Sequence, residues 1–174
     1  MPIIRPACEQ DIAAITAIYR HHVLNSTGTF EVEPPSDAEM SRRRQEVLDK
    51  GLPYLVAVDE TGQVLGYAYA NWFKPRPAYR FSAEDSIYVA ESARGQGIGA
   101  LLLHALCEAC QAVGVRKLIA VIGDSGNAAS IGVHAGSGFS HAGKLSSAGW
   151  KFGRWLDIVM MDKSLGEGDS SCPE

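Results

Sequence analysis

A chain of 174 residues is long enough to bury one core and too short for two comfortable domains, and 46% apolar against 21% charged residues is the balance of a globular protein. A net charge of −4 argues against nonspecific nucleic-acid binding, and no run of Lys or Arg has the form of a phosphate-backbone footprint. No apolar segment approaches the ~20 residues that span a bilayer and Met1 to Pro6 lacks a signal peptide's apolar centre, so a cytoplasmic protein without a membrane partner is expected.

In chain order, Ile3-Ile4-Arg5 reads as a short strand, and Ile12, Ile15, Ile18, Tyr19 and Val23 share one helical face. Asn25 to Pro35 is polar and turn-rich and reads as a loop. A second helix opens at Ser36-Asp37-Ala38-Glu39, a capping-box pattern, and carries Arg42-Arg43-Arg44 with Glu39 and Glu46 as a solvated face. Two apolar runs, Tyr54 to Val58 and Val64 to Ala70, flank Asp59-Glu60-Thr61-Gly62 as a hairpin would. Phe73 to Phe81 is rich in Pro, aromatic residues and positive charge.

The strand-type run Ser86 to Ala90 leads into Arg94-Gly95-Gln96-Gly97-Ile98-Gly99 and a helix striped by Ile98, Leu101, Leu102, Ala105, Leu106 and Ala109. Leu118 to Ile122 has the composition of a buried strand. Asn127 to Ser137 reads as a short helix ended by Gly138, and the chain to Leu165 as a hairpin. With no repeat and no linker, this predicts one α/β domain over residues 1–165 and a disordered tail over 166–174. The four cysteines are too scattered for a disulfide framework, and Cys107-x-x-Cys110 lies inside a helix without a second ligand pair, so neither redox chemistry nor a metal is expected.

The glycine stretch is the chemical signal. Glycines at a helix mouth let backbone N–H groups approach an anion, where unpaired amides and the helix dipole favour negative charge, a geometry that suits a pyrophosphate. A P-loop is excluded because no Lys follows the last Gly. A dinucleotide fold would want Gly-x-Gly-x-x-Gly tight against the first strand, whereas the spacing here is Gly95-x-Gly97-x-Gly99; Asp124 keeps that rival open as a mimic of its ribose-binding acid.

Arg94-x-x-Gly97-x-Gly99 resembles the Gln/Arg-x-x-Gly-x-Gly/Ala signature of the GCN5-related N-acetyltransferases (GNAT). The segment Asn127-Ala128-Ala129-Ser130 through His134 to Gly138-Phe139 resembles that family's Asn-x-x-Ala-x-x-x-Tyr-x-x-x-Gly-Phe, with His134 in the Tyr position. Glu84-Asp85-Ser86-Ile87-Tyr88-Val89, Val121-Ile122-Gly123 and Lys151-Phe152-Gly153-Arg154-Trp155-Leu156-Asp157 resemble segments of its phosphinothricin and methionine sulfoximine acetyltransferase branch, whose first motif is Glu-x-Ser/Thr-Val-Tyr-Val.

The resemblance implies a single GNAT-type domain: a mixed, mostly antiparallel sheet of six to seven strands, splayed at the acetyl-CoA site and flanked by about four helices. It implies acetyl-CoA as co-substrate, held by Tyr88, Val89 and Ala90 along the pantetheine arm, by Arg94, Gln96, Gly97, Ile98, Gly99 and Ala100 at the pyrophosphate, and by Asn127 and Ser130. Glu84 is the expected base, because an amine that is mostly ammonium at neutral pH must lose a proton to attack a thioester. His134 is the candidate donor to the departing thiolate, or packs beside the cofactor.

Recognition of a small amino-acid-like substrate is expected from Phe73, Lys74, Arg76, Tyr79 and Arg80 with Glu84, Asp85 and Ser86, and Phe30 and Glu31 are placed to reach the site. Guanidinium forks suit carboxylate or phosphinate oxygens. Lys151, Trp155 and Asp157 are assigned to the last hairpin and to a homodimer contact. Acetylation of another amine, or an idle acyl-CoA-sensing domain, are the alternatives.

Overall fold

The computed structural model describes residues 2–173, so the predictions that touch Met1 and Glu174 lie outside the described residues. Short β1 (Ile3–Pro6) leads to α1 (Ile12–Asn25), entered through a clamp in which the Asp11 carboxylate accepts from Arg5 Nη1 and Nη2 at 2.7 and 2.8 Å and from the Cys8 N–H at 2.8 Å. A loop of eleven residues, 26–36, separates it from α2 (Asp37–Asp49). The expected cap of α2 forms: Ser36 Oγ accepts from the Glu39 N–H at 3.2 Å, a bond of about 1 kcal/mol.

The hairpin of β2 (Tyr54–Val58) and β3 (Val64–Trp72) follows, then β4 (Ser82–Val89), α3 (Ile98–Ala112), β5 (Lys117–Gly123), α4 (Ala128–Gly136), β6 (Ser140–Lys151) and β7 (Arg154–Ser164). The strands make one seven-stranded sheet in the order β1-β2-β3-β4-β5-β7-β6. Every neighbouring pair is antiparallel except β4 with β5.

Alternation along the central strands divides the core in two. Tyr88 of β4 meets Tyr19 of α1 edge-on at 4.9 Å, so the even-numbered residues of β4 face α1. Asp85 bonds His134 of α4, so the odd-numbered ones face α3 and α4. The stripe by which α3 packs is rotated from the predicted one. Ile98, Leu102, Leu103, Leu106, Cys107 and Cys110 are buried, while Leu101 is 44% exposed and Ala105 and Ala109 only half-buried. Both cysteines behave as small apolar groups, which made them invisible to a stripe drawn from leucines and alanines.

The tail keeps contact with the domain. Leu165 is buried, and Arg116 Nη1 lies 3.2 Å from Ser171 Oγ.

Candidate active site

A fork in the sheet builds the site. The parallel strands β4 and β5 are paired at only three positions: Ser82 with Lys117, Ala83 with Leu118, and Glu84 with Ile119. Beyond Glu84 they part, and the backbone groups that would have bonded across the gap are left facing it. The Ala90 N–H donates to Leu65 O at 2.8 Å, so the even-numbered residues of β4 spend their backbone bonds on β3. Period-two alternation therefore turns the N–H and C=O of Ile87 and Val89 towards the gap.

Ala90 lies on the edge of β4 that is paired with β3, and its carbonyl accepts from the Ala93 N–H at 2.9 Å, whereas Ile87 shares the gap-facing edge with Val89. The signal for Ile87 was in the sequence: a ligand that bonds Val89 along a strand reaches its next same-side residue two positions away. The Val89 carbonyl already accepts from His22 Nε2 at 3.0 Å, a contact across 67 residues that no local pattern announces. That bond fixes the proton on Nε2, and burial holds the His22 ring below its ordinary pKa, in the neutral form.

The gap widens into a cleft of about 1360 Å³ lined by the mouth of α3, the start of α4, the ends of β4 and β5 and the α1–α2 loop. At the α3 mouth, Gly95 and Gly97 have φ of +75° and +78°, a left-handed backbone that only glycine adopts cheaply. The first helical bond is Leu101 N–H to Gly97 O, which leaves the N–H groups of Ile98, Gly99 and Ala100 without helical acceptors at the positive end of the helix. Arg94 lines the same mouth. This is an anion cradle, and the residues present fit the diphosphate of a coenzyme A. Gln96 is not part of the lining; its side chain turns away and donates to Ser92 O at 3.0 Å.

Across the cleft, Asn127 caps α4, its Oδ1 accepting from the Ser130 N–H at 3.2 Å. Asp124, the possible ribose acid of a dinucleotide fold, is spent otherwise. It accepts from the Gly126 N–H at 2.9 Å and pairs with Arg154 at 2.6 Å. The sheet order is likewise not that of a doubly wound dinucleotide fold, because only one neighbouring strand pair is parallel.

Glu84 stands at the base of the fork on the α1 side and lines the cleft with Ser86 and Tyr88. Burial raises its pKa above the ordinary carboxylate range, the neighbouring Asp85 charge adds to this, and the Lys74 ammonium partly opposes it. Asp85, on the opposite face, is 7% exposed. Its Oδ1 lies 3.1 Å from His134 Nε2, and His134 Nδ1 lies 2.8 Å from Ser130 O. Both nitrogens of His134 are engaged, which leaves neither as a free donor to the cleft.

The α1–α2 loop forms one wall and is held by a residue that sequence reasoning assigned to the last hairpin. Lys151 is 4% exposed, and its ammonium donates to Ser26 O and Thr29 O, each at 2.8 Å. Next to it the Phe30 ring lies between two strands where no side chain fits. A Cβ on Gly149 would stand 2.3 Å from Phe30 Cε2, and one on Gly123 2.3 Å from Thr27 O and 2.8 Å from Phe30 Cε1. Phe30 and Thr29 line the cleft; Glu31 turns to Arg43 Nη1 at 2.6 Å and Tyr19 OH at 2.9 Å.

Phe73, Lys74, Arg76, Tyr79 and Arg80, expected to bind substrate, are not among the lining residues. They sit in the β3–β4 connection and contact each other or near neighbours: Phe73 meets Tyr79 edge-on at 5.9 Å, Lys74 Nζ lies 5.1 Å over the Phe73 ring, and Arg80 stacks on Phe81. The turn lies at the closed end of the fork beside Glu84, close enough for the Lys74 ammonium to act on that carboxyl group. Trp155, offered as a dimer contact, is 61% exposed and packs on Trp150 at 5.3 Å, while Asp157 accepts from Ser125 Oγ and the Ser147 N–H.

Comparison with known proteins places this geometry. Residues 15–139 match the model of the acetyltransferase (GNAT) family. The chain is 53% identical over 171 residues, 98% of its length and 86% of the relative's, to a phosphinothricin N-acetyltransferase of Alcaligenes faecalis. It is 42% identical over 163 residues, 93% of its length and 94% of the relative's, to an L-methionine sulfoximine/L-methionine sulfone acetyltransferase of Pseudomonas paraeruginosa. A crystal structure of a GNAT superfamily phosphinothricin acetyltransferase from Sinorhizobium meliloti, in complex with acetyl-CoA, superposes with a TM-score of 0.96 at 47% identity, covering 99% of this chain and 93% of that one. With the forked sheet, the glycine-lined helix mouth and more than half its length matched, this chain belongs to the acetyltransferase (GNAT) family.

Proposed function

We propose that the chain is an acetyl-CoA-dependent N-acetyltransferase of the α-amino group of small amino-acid-like substrates, of which phosphinothricin, methionine sulfoximine and methionine sulfone are the candidates that its relatives' names supply. The observation that carries this reading is the fork, with Glu84 at its base and an anion cradle at its mouth opening onto one cleft.

Acetyl-CoA bound there supplies a thioester-activated acetyl group. The N–H groups from Gly97 to Ala100 and the Arg94 guanidinium would hold its diphosphate, and the gap-facing groups of Ile87 and Val89 its pantetheine arm. Asn127 and Ser130 flank the same path. On the opposite face of β4, Glu84 accepts the ammonium proton of the substrate, directly or through one water. Its raised pKa suits the task, because a carboxylate held above its ordinary range is the stronger base.

Direct transfer without an acyl-enzyme follows from the cysteines. Cys107 and Cys110 are buried in α3 with thiol pKa values raised by that burial, Cys110 to about 12, and neither they nor Cys8 and Cys172 line the cleft. An acyl-enzyme on cysteine would need a thiolate facing the bound thioester, and no cysteine lines the cleft.

A homodimer in the cytoplasm completes the reading, supported by the exposed Trp150, Phe152 and Trp155 around the β6–β7 turn and by the open edge of β6. Sedimentation of Trp155→Ser against the unmodified protein tests it, and a monomer in both would refute it.

The central experiment measures CoA release from acetyl-CoA with phosphinothricin, methionine sulfoximine, methionine sulfone, polyamines and short peptides, alongside Glu84→Gln. Saturable turnover on one of the first three that falls at least 100-fold in the variant supports both substrate class and base. Turnover confined to peptides or polyamines refutes the substrate assignment, and acetyl-CoA binding without turnover on any amine refutes the catalytic reading.

A further inference from the structure

Asp85 occupies a position that the Glu-x-Ser/Thr motif leaves free, yet it is one of the most deeply buried charged residues among those described. Burying a carboxylate is costly unless it is paired, so its environment calls for an account. The side chains of Asp85 and His134 are 4% and 5% exposed, with Oδ1 3.1 Å from Nε2. Asp85 Oδ2 has no partner, so His134 alone compensates this carboxyl group.

The hydrogen bonds fix the protons. Ser130 O can only accept, so His134 Nδ1, 2.8 Å away, carries a hydrogen. Nε2 and Oδ1 then share one proton between them. The Phe139 ring closes the site edge-on to His134 at 5.0 Å.

We propose that Asp85 is a positioning residue, which holds the His134 ring as an imidazolium on the α4 side of β4 while Glu84 works on the other side. The inference rests on the proposed acetyl transfer. It deepens that reading by giving His134 a fixed positive charge, placed to meet the negative charge that develops on the departing thiolate, in place of proton donation from a free nitrogen. Separation by the strand is what lets two adjacent carboxylates take different roles: consecutive residues of β4 point to opposite faces, so Glu84 stays free to accept a proton while Asp85 is spent on His134.

The other charged and titratable groups near the pair do not replace Asp85. Cys107 and Cys110 of α3 feel its charge and are buried thiols, Lys163 of β7 donates to Ser137 O at 2.8 Å, Glu84 points to the other face, and β5 carries no titratable side chain from Leu118 to Gly123. Burial opposes the charged ring, but the bond and charge of Asp85 outweigh it, and the His134 pKa lies above its ordinary value. Asp85 itself is raised by burial, with His134 pulling it back.

The decisive measurement is the NMR titration of the His134 ring from pH 5 to 9 in the unmodified protein and in Asp85→Asn, with His134→Gln to assign the signal. The expected midpoint lies above ~6.5 in the unmodified protein and at least one unit lower in Asp85→Asn, where only the Ser130 carbonyl still opposes burial. The alkaline limb of kcat should move down with it, and kcat at pH 7.5 should fall at least 10-fold with the KM for acetyl-CoA within 3-fold. A midpoint at or below ~6.5 in the unmodified protein overturns the proposal even if Asp85→Asn does not fold. So does a titration that Asp85→Asn leaves unchanged. Because the titration needs no acetyl transfer, an enzyme inactive on every amine would sink the proposed function without touching this result.

Discussion

Lys151→Met tests whether the wall of the cleft is held as described. The ammonium donates two bonds of 2.8 Å, to Ser26 O and Thr29 O, from a site that is 4% exposed. Hydrogen bonds to a charged group contribute about 1.5–3 kcal/mol each, so the pair supplies roughly 3–6 kcal/mol. Burying the ammonium offsets part of this, as its pKa, lowered by that burial, indicates, and Met keeps the apolar stem. A net loss of about 2–4 kcal/mol is expected, or roughly 5–15 °C in Tm for a chain of this size. Denaturant unfolding reads the stability. Hydrogen exchange of the Thr27 to Phe30 amides reads the loop, whose protection should drop well before that of β2 and β3, and the KM for both substrates should rise. A loss below 0.5 kcal/mol with loop protection unchanged would refute the claim that Lys151 fastens this wall.

Gly149→Ala attacks the same wall without touching charge: its Cβ would meet Phe30 Cε2 at 2.3 Å, so the ring must leave its slot, at a cost of about 1–3 kcal/mol for overpacking. Phe30→Ala in the Gly149→Ala background should recover part of that loss, and a double variant no better than the sum of the single ones would count against the slot. Glu84 should govern the acid limb of kcat/KM. Its pKa is raised, so the basic form accumulates only above the ordinary carboxylate range, and the limb should lie above pH ~4.5 and vanish in Glu84→Gln while kcat drops about 10²–10⁴-fold. A limb that persists in the variant assigns the base elsewhere. Asp11 is held down to about 2 by the Arg5 guanidinium, with the Cys8 bonds helping against burial. A depressed carboxylate stabilises the fold above its unfolded pKa and loses that contribution as pH falls from about 4 towards 2. Because the Arg5 side chain is 37% exposed, about 1–2 kcal/mol is expected in that window, and stability curves of Asp11→Asn and the unmodified protein should converge at pH 2.

Local chemistry was enough to read the order of elements, the cap at Ser36 and the left-handed glycines of the α3 mouth, since each depends on residues within a few positions of one another. The glycine stretch at a helix mouth marked Gly97, and segments that resemble the family's motifs marked Glu84 and Asn127; a strand entry, a helix mouth and a helix cap are all short-range features. The α3 stripe was misdrawn because cysteine carries no helical-face signature, and Ile87 was passed over although it lies two positions from Val89 on the same side of the strand.

What only tertiary structure decided comes from contacts between distant segments. The Lys151 clasp spans 125 and 122 residues, His22 reaches Val89 across 67, and Asp85 meets His134 across 49. The basic turn after Phe73 was placed in the site by its nearness to Glu84 along the chain. The three-residue pairing of β4 with β5 sends that turn to the closed end and the glycine mouth to the open one. A sequence states which residues are neighbours along a strand, but where two strands part, and so what faces the gap, is set by the packing on both sides of the sheet.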